Sequence, residues 1–450
     1  MDDARRELAG RPLVLAAVAL VVGLTAPLHP LNVLFLGLLI LARRPLPVAL
    51  AFVLGLVLSP RPVAVLAGPE WVRGPAVVLD VPVEAKEGLR ATVEVGGKRL
   101  RAIFPSRTPM SKGEVWNVEG KAKPLSEAGD GYRLRGVNGS LAPVEIAKLA
   151  DGPWPWRVAD GWRRSYEGFV RASLPPEPAR WLGAFAFRLQ GLEDDEIDAL
   201  KSTGTIHLIA ASGLHVGALG LVGMLLGTAL GLPRSATLGL VFALLVLFTM
   251  ATGLHLPTLR AALAFAAGSS AYLVRRDPDG LSAIALAVLA YLPFDPAAVY
   301  DLGFQLSVTV VGLLVLWPRR GAAEPARTVP ALFRERVRDL LAVSLIAGLA
   351  AEPILAQRNG EITLLTLPAN ALAVPPVMAA VLASFVLHPL HAGWAMPLVG
   401  GLATFAGRAI LLAGSVPGTV LHVPPFSPYG LTLVYLPWIA FWRPRARPCA

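Results

Sequence analysis

Residues 203–223 read TGTIHLIAASGLHVGALGLVG, and the reading of this stretch decides the fold class. It is apolar enough to enter a bilayer, yet it carries His207, Ser212 and His215. Ionisable groups at membrane depth are costly, so each is a functional hypothesis by default. The spacing predicts a helix on which His207, Ala211 and His215 share one face. Gly213 and Gly217 form a G-x-x-x-G step, which predicts close approach by a neighbouring helix. The structural alternative is a packed helix whose histidines hydrogen-bond to their neighbours and do nothing else.

The rest of the chain fits that reading. Of its 450 residues, 54% are hydrophobic and only 16% charged, and mean hydropathy is +0.58. Such a balance predicts a mainly α-helical polytopic membrane protein. The formal net charge of +10 suits anionic lipid headgroups and nucleic acid equally. Cys449 is the single cysteine, which excludes an intrachain disulfide and a cysteine-based zinc site. No G-x-x-x-x-G-K-[ST] occurs, so an NTP-driven motor has to be another polypeptide.

Apolar runs predict spans near 12–27, 31–42 and 47–58, the first a retained span rather than a cleaved signal. Further spans are predicted over 235–253, 255–274, 281–292, 300–317, 340–357, 364–387, 397–416 and 429–442. With the N-terminus and Arg43–Arg44 cytoplasmic, alternation also puts Arg234, Arg275–Arg276, Arg319–Arg320, Arg334–Arg338 and Arg443–Arg447 on that side. The segment after the third run is then extracytoplasmic.

That segment, 70–147, changes character. Short strands are predicted over 77–83, 91–95, 99–104, 115–121 and 132–137, with hairpin turns at Gly96–Gly97 and Asn138–Gly139. A small all-β domain, an OB-like barrel, is the natural candidate. Arg99, Arg101, Lys121, Lys123, Arg133 and Arg135 stand near Phe104, Trp116 and Tyr132. Single-strand binders combine a basic groove with aromatic stacking platforms in this way. The same aromatics are equally the core of a small barrel.

Residues 148–203 are read as an interfacial helix and linker. Trp162, Tyr166 and Phe169 make one apolar face on a basic helix, which predicts that it lies in the membrane interface. The acidic run at 193–198 reads as a solvated helix start rather than a metal site.

Polar residues recur inside the later spans, within 204–450. His255 and Arg260 lie in GLHLPTLRA (253–261), and Asp301 and Gln305 in DLGFQLS (301–307). Glu352 precedes Pro353, and Asn370 lies in LPANALAVPP (367–376) with Pro375 and Pro376. Two adjacent prolines predict a broken helix lining a cavity. All of these, with the signature stretch, are candidate channel residues.

The four quoted segments resemble, in order, those of the ComEC family of competence proteins, the membrane channels that take up transforming DNA. The resemblance implies an inner-membrane, multi-pass channel that passes single-stranded DNA to the cytoplasm, with an OB-like domain outside. It implies, as partners, membrane lipid, a separate DNA receptor, a nuclease and a cytoplasmic ATPase or helicase. Two departures stand out. Family members usually have a Gly–Asp pair where this chain has Phe187–Arg188. Many also continue into a metallo-β-lactamase-like domain, whereas this chain has no H-x-H-x-D-H cluster, only His388-x-x-His391. No cofactor, metal or catalytic residue is therefore expected. Two rival functions stay open: a secondary transporter of a small anion, and an intramembrane enzyme using Ser212 with a histidine.

Overall fold

Alternating apolar and polar residues build the strands β1 (Glu70–Val78), β2 (Val83–Ala85), β3 (Gly88–Val95), β4 (Lys98–Phe104), β5 (Val115–Lys123) and β6 (Val137–Ala150). The computed structural model describes residues 11–27, 45–85, 88–105, 108–124, 133–187, 191–209, 213–254, 256–273, 279–317, 329–424 and Tyr435. β1 pairs antiparallel with both β3 and β5, β3 with β4, and β5 with β6, while β4 and β6 run parallel. Following the pairs from β1 through β5, β6, β4 and β3 returns to β1, so five strands close a ring and β2 lies outside on β3. Inward positions, among them Val93, Val95, Leu100, Phe104 and Trp116, form its core.

The β3–β4 hairpin turns at Gly96–Gly97, with φ +57° and +72°, as expected. Asn138–Gly139 is different: it lies inside β6, and the last strand starts where the sequence suggested one would end. Asn138 explains this. Its Oδ1 accepts from the Arg99 N–H at 2.9 Å and its Nδ2 donates to the Ala64 carbonyl at 3.0 Å. The β4–β6 register slips between Arg99 and Leu100, so the pair marks a bulge rather than a hairpin.

The helices are α1 (Pro12–Thr25), α2 (Pro45–Leu58), α3 (Trp154–Ser173), α4 (Pro176–Phe187), α5 (Asp194–Ser202), α6 (Gly213–Ala229) and α7 (Arg234–Ala251). They continue as α8 (Leu256–Leu273), α9 (Gly280–Tyr291), α10 (Leu302–Leu316), α11 (Val329–Asn359), α12 (Thr366–Leu387) and α13 (Met396–Gly414). Two short strands, β7 (Glu361–Thr363) and β8 (Val420–His422), pair with each other. Among the described residues, four stretches are long and apolar enough to cross a membrane: Arg234–Ala251, Leu341–Asn359, Thr366–Leu387 and Gly393–Gly414. α1, α9 and α10 are apolar but shorter. The spans expected at 31–42 and 429–442 lie outside the described residues, Tyr435 excepted.

The main core joins α3, α4, α7 and α12. Trp162 meets Phe187 edge-on at 5.2 Å, Tyr166 lies 4.9 Å from Phe187, and Phe248 lies 5.8 Å from Phe385. Tyr166 is fully buried, and its hydroxyl bonds to Ser384 Oγ at 2.8 Å. The aromatic face of α3 is thus covered by the bundle, which corrects the expectation of a face laid into lipid headgroups. Glu193 and Glu196 form a capping box on α5, and Arg180 pairs with both.

Candidate functional site at the junction of ring and bundle

The signature stretch is not one helix. α5 ends at Ser202, residues 206–208 make a single tight turn, and α6 begins only at Gly213. His207 and His215 therefore share no helix face. His207 is exposed, with Nδ1 at 3.0 Å from its own Gly204 carbonyl. His215 is buried, its Nε2 bonded to the Phe185 carbonyl and its ring stacked on Phe248 at 6.2 Å. Ser212 and His255 lie outside the described residues.

The glycine step is displaced as well. A Cβ on Gly213 would make ordinary contact with Ala261 at 3.5 Å, and one on Gly217 would meet nothing. The close approach lies further along, where a Cβ on Gly223 or Gly227 would fall 2.8 Å from Val241 or 2.5 Å from Thr237 of α7. G-M-L-L-G over 223–227 carried the same signal and is the pair that packs.

Arg260 and Asp301 meet at the start of α10. Arg260, 5% exposed, donates to the carbonyls of Phe304 at 2.9 Å and Gly303 at 3.2 Å and lies over the Phe304 ring. Asp301 is the N-cap of α10: its Oδ1 accepts from the Phe304 N–H at 3.0 Å. Its other oxygen accepts from Arg135 of the ring at 2.8 Å. Gln305 donates to the Val299 carbonyl at 3.0 Å.

A second polar knot lies between α11 and α12. Glu352 accepts from the Thr366 hydroxyl at 3.0 Å and the Thr363 N–H at 3.3 Å, and Gly204 packs directly on Thr366. Asn370 is buried, and its Oδ1 has no hydrogen-bond partner among the described residues. α12 continues through Pro375 and Pro376, so the helix break expected at the two prolines is not formed. Pro375 itself is exposed.

In the ring, Phe104 and Trp116 are 1% and 6% exposed. Their rings fill the core and offer no face to a base, which corrects the stacking expectation. Trp116 Nε1 donates to the buried Glu114 at 3.0 Å. The exposed aromatic is Trp71, 67% exposed and paired in register with Lys121. The alternation of β1 puts it outward, a signal open to sequence reading but not taken. Lys121 and Lys123 are exposed, and Lys123 faces Ser140, which faces Arg101, across β5, β6 and β4. Arg99 and Arg135 turn instead toward the bundle, while Arg133 is half-buried. Tyr132 lies outside the described residues.

The contacts that seat the ring on the helices include Arg135 on Asp301, Val81 on Gly253, Ser111 on Asp160 at 2.6 Å, Arg164 on Ser111 at 2.6 Å, and Lys112 over the Trp156 ring at 4.4 Å. Burial works against the Asp160 carboxylate, but Arg163, the Ser111 hydroxyl and Arg164 outweigh it and hold its pKa below 3.8. Between the contacts lies a cavity of about 980 Å³, walled by 80–83, 108–110 and 134–136 on one side and 251–254 and 294–297 on the other. Burial raises the Asp80 carboxyl above its ordinary range, more than the Thr92 N–H and Lys112 lower it. Burial likewise depresses the neighbouring Lys112, against the pull of Asp80. Among the described residues no cluster of His, Cys, Asp and Glu is arranged to hold a metal ion.

The family model described as Competence protein matches residues 188–448. The chain belongs to the competence-protein family. The matched region contains all four polar segments and leaves out the ring. ComE operon protein 3 of Bacillus subtilis is 30% identical over 214 residues, 47% of this chain and 26% of that protein. The uncharacterized protein YcaI of Escherichia coli is 26% identical over 245 residues, 50% of this chain and 31% of that protein. The chain thus spans a minor part of the length of these curated relatives. No solved structure matches. The apolar helices support a membrane location.

Proposed function

We propose that the chain is the conduit by which one strand of incoming DNA crosses the inner, cytoplasmic membrane, with the N-terminus inside and the ring outside. The strand order of the ring, with its single parallel pair, supports an OB-like reading, a class of barrel that binds single strands on its open face. The observation that carries the proposal is the seating of the ring. Gly253 and Asp301 belong to the segments shared with the family, and both carry contacts to it. A basic ring and the membrane helices therefore meet at one cavity.

A strand brings about one negative charge per nucleotide, and a bare apolar path would be prohibitively costly for it. The path needs water and polar groups that hold phosphate weakly enough to release it. The chain itself performs no chemistry in this reading; strand degradation, surface capture and ATP-driven pulling belong to separate proteins. The rival anion transporter would use Arg260 as a substrate site, but that guanidinium is engaged with the Gly303 and Phe304 carbonyls. The test is a deletion strain given labelled DNA. Surface capture should persist while label in a DNase-resistant state disappears. Uptake at the parental rate would end the proposal.

A further inference from the structure

Five arginines, Arg61, Arg99, Arg135, Arg163 and Arg164, line the cavity beneath the ring against four carboxylates. Each acidic group on its wall is answered within the chain. Asp80 accepts from the Thr92 N–H at 2.7 Å, Glu167 pairs with Arg171 at 2.5 Å, and Asp295 accepts from the Tyr291 hydroxyl at 2.8 Å. Asp301 caps α10. Arg163 and Arg164 are spent on Asp160.

Three other arginines on the wall differ. Arg61 is exposed and makes no ion pair with any described residue. Arg99 and Arg135 reach partly exposed carboxylates, Glu94 at 3.2 Å and Asp301 at 2.8 Å. A Cβ on Gly136 would lie 3.3 Å from Arg99 Nη1, so this guanidinium passes over the residue next to Arg135. Exposed ion pairs are weak and exchange readily. A guanidinium fork matches two oxygens of a phosphate. Val81, Val83 and Leu89 add apolar wall, which strengthens charge contacts made inside. The volume lies at the upper end of the roughly 300–1,000 Å³ of small-ligand sites, more than a lone anion needs.

We propose that this cavity is a phosphodiester-binding chamber in which Arg61, Arg99 and Arg135 take backbone phosphates of a single strand, Arg135 exchanging Asp301 for phosphate as it does so. The proposal rests on the reading of the chain as a single-strand conduit.

The test uses the full chain in detergent micelles and a labelled oligo(dT) of about 20 nucleotides, longer than the roughly 4–16 that one such barrel covers. Anisotropy gives the affinity at stepped salt. Arg61→Ala and Arg99→Ala should each flatten the slope of log affinity against log salt by about 0.7, the value for one single-strand phosphate contact. Arg99→Lys should keep the slope, which separates charge from folding. Lys201→Ala, on α5, should change nothing. Asp301→Asn keeps a competent cap and removes the competing charge, so binding should tighten roughly two- to fivefold. Unchanged slopes in both arginine variants, or weaker binding by Asp301→Asn, would overturn the chamber while leaving the conduit standing. Absence of binding even at low salt would defeat both. Lipid headgroups offer the same phosphodiester. Phosphatidylglycerol added to the micelles should leave the oligonucleotide affinity unchanged; competition that vanishes in Arg61→Ala would assign the chamber to lipid instead.

Discussion

The ring and the helix bundle spend their polar side chains in opposite ways. In the bundle, the segments shared with the family turn inward onto the chain's own backbone. His215 meets the Phe185 carbonyl, Arg260 meets Gly303 and Phe304, Gln305 meets Val299, and Glu352 meets Thr363 and Thr366. In the ring, Lys121 and Lys123 stand exposed on the outer wall beside Trp71, and the aromatics that looked like platforms are core. The contrast teaches that a polar residue in a membrane helix is first a pin. It satisfies backbone groups that lipid cannot. In the ring, Lys121 and Lys123 make no ion pair with any described residue, while Arg73, Lys98, Arg99 and Arg135 pair with carboxylates that are themselves partly exposed.

The largest effect expected from this contrast is in the ring core. Trp116→Ala should destabilise it by about 3–5 kcal/mol and leave Glu114 Oε2 with the Ser111 N–H as its remaining donor, whereas Trp71→Ala should stay within about 0.5 kcal/mol yet weaken single-strand binding. Thermal unfolding and oligonucleotide titration of both variants read this, and equal destabilisation would erase the distinction.

Next comes Arg260→Ala. If Arg260 is a pin, the loss should be about 2–3 kcal/mol and membrane abundance should fall together with DNA import. Normal abundance with import lost would make it a lining residue instead. Gly227→Leu should cost about 1–3 kcal/mol by overpacking against Thr237. Gly217→Leu, pointing into open space, should be nearly silent. A reversal of those two would restore the step at 213–217.

The smallest effect is a pH dependence at the seat of the ring. The Asp160 carboxyl is held below 3.8 in the folded chain. Just below that value the unfolded chain binds the proton and the folded chain does not, so stability rises with pH through this window. The contribution is complete above it and is lost as pH falls through the folded value. Unfolding midpoints at about pH 5 and about pH 3 should differ less in Asp160→Asn than in the parent. An unchanged difference would remove Asp160 from the seating contacts.

Much of this was legible in the sequence. The strands read at 91–95, 99–104 and 115–121 fall on β3, β4 and β5, whereas the one read at 77–83 lies mostly between β1 and β2; the Gly96–Gly97 turn was read correctly, and four polar segments pointed to a competence protein. What could not be read was which of two equal signals the fold uses. Glycines at 213 and 217 and at 223 and 227 have the same spacing, and only the position of α7 selects the second pair. Asn138–Gly139 has turn chemistry, but its side chain is claimed by Ala64 and Arg99, far off in sequence. Histidines at 207 and 215 have helical spacing, yet the chain turns between α5 and α6. Each miss is a long-range contact overriding a local preference.

The closure of the ring has a consequence for how the chain is made. β6 ends at Ala150, before any residue of α3 to α13 has left the ribosome. A sheet waiting for the rest of its protein is hazardous when a full-length edge can template pairing with a neighbouring chain. Here β1 is held by β3 as well as β5, and each of the five strands has a partner on both sides. The ring can stand finished and inert during translation, and the helices synthesised later assemble against a surface that is already set.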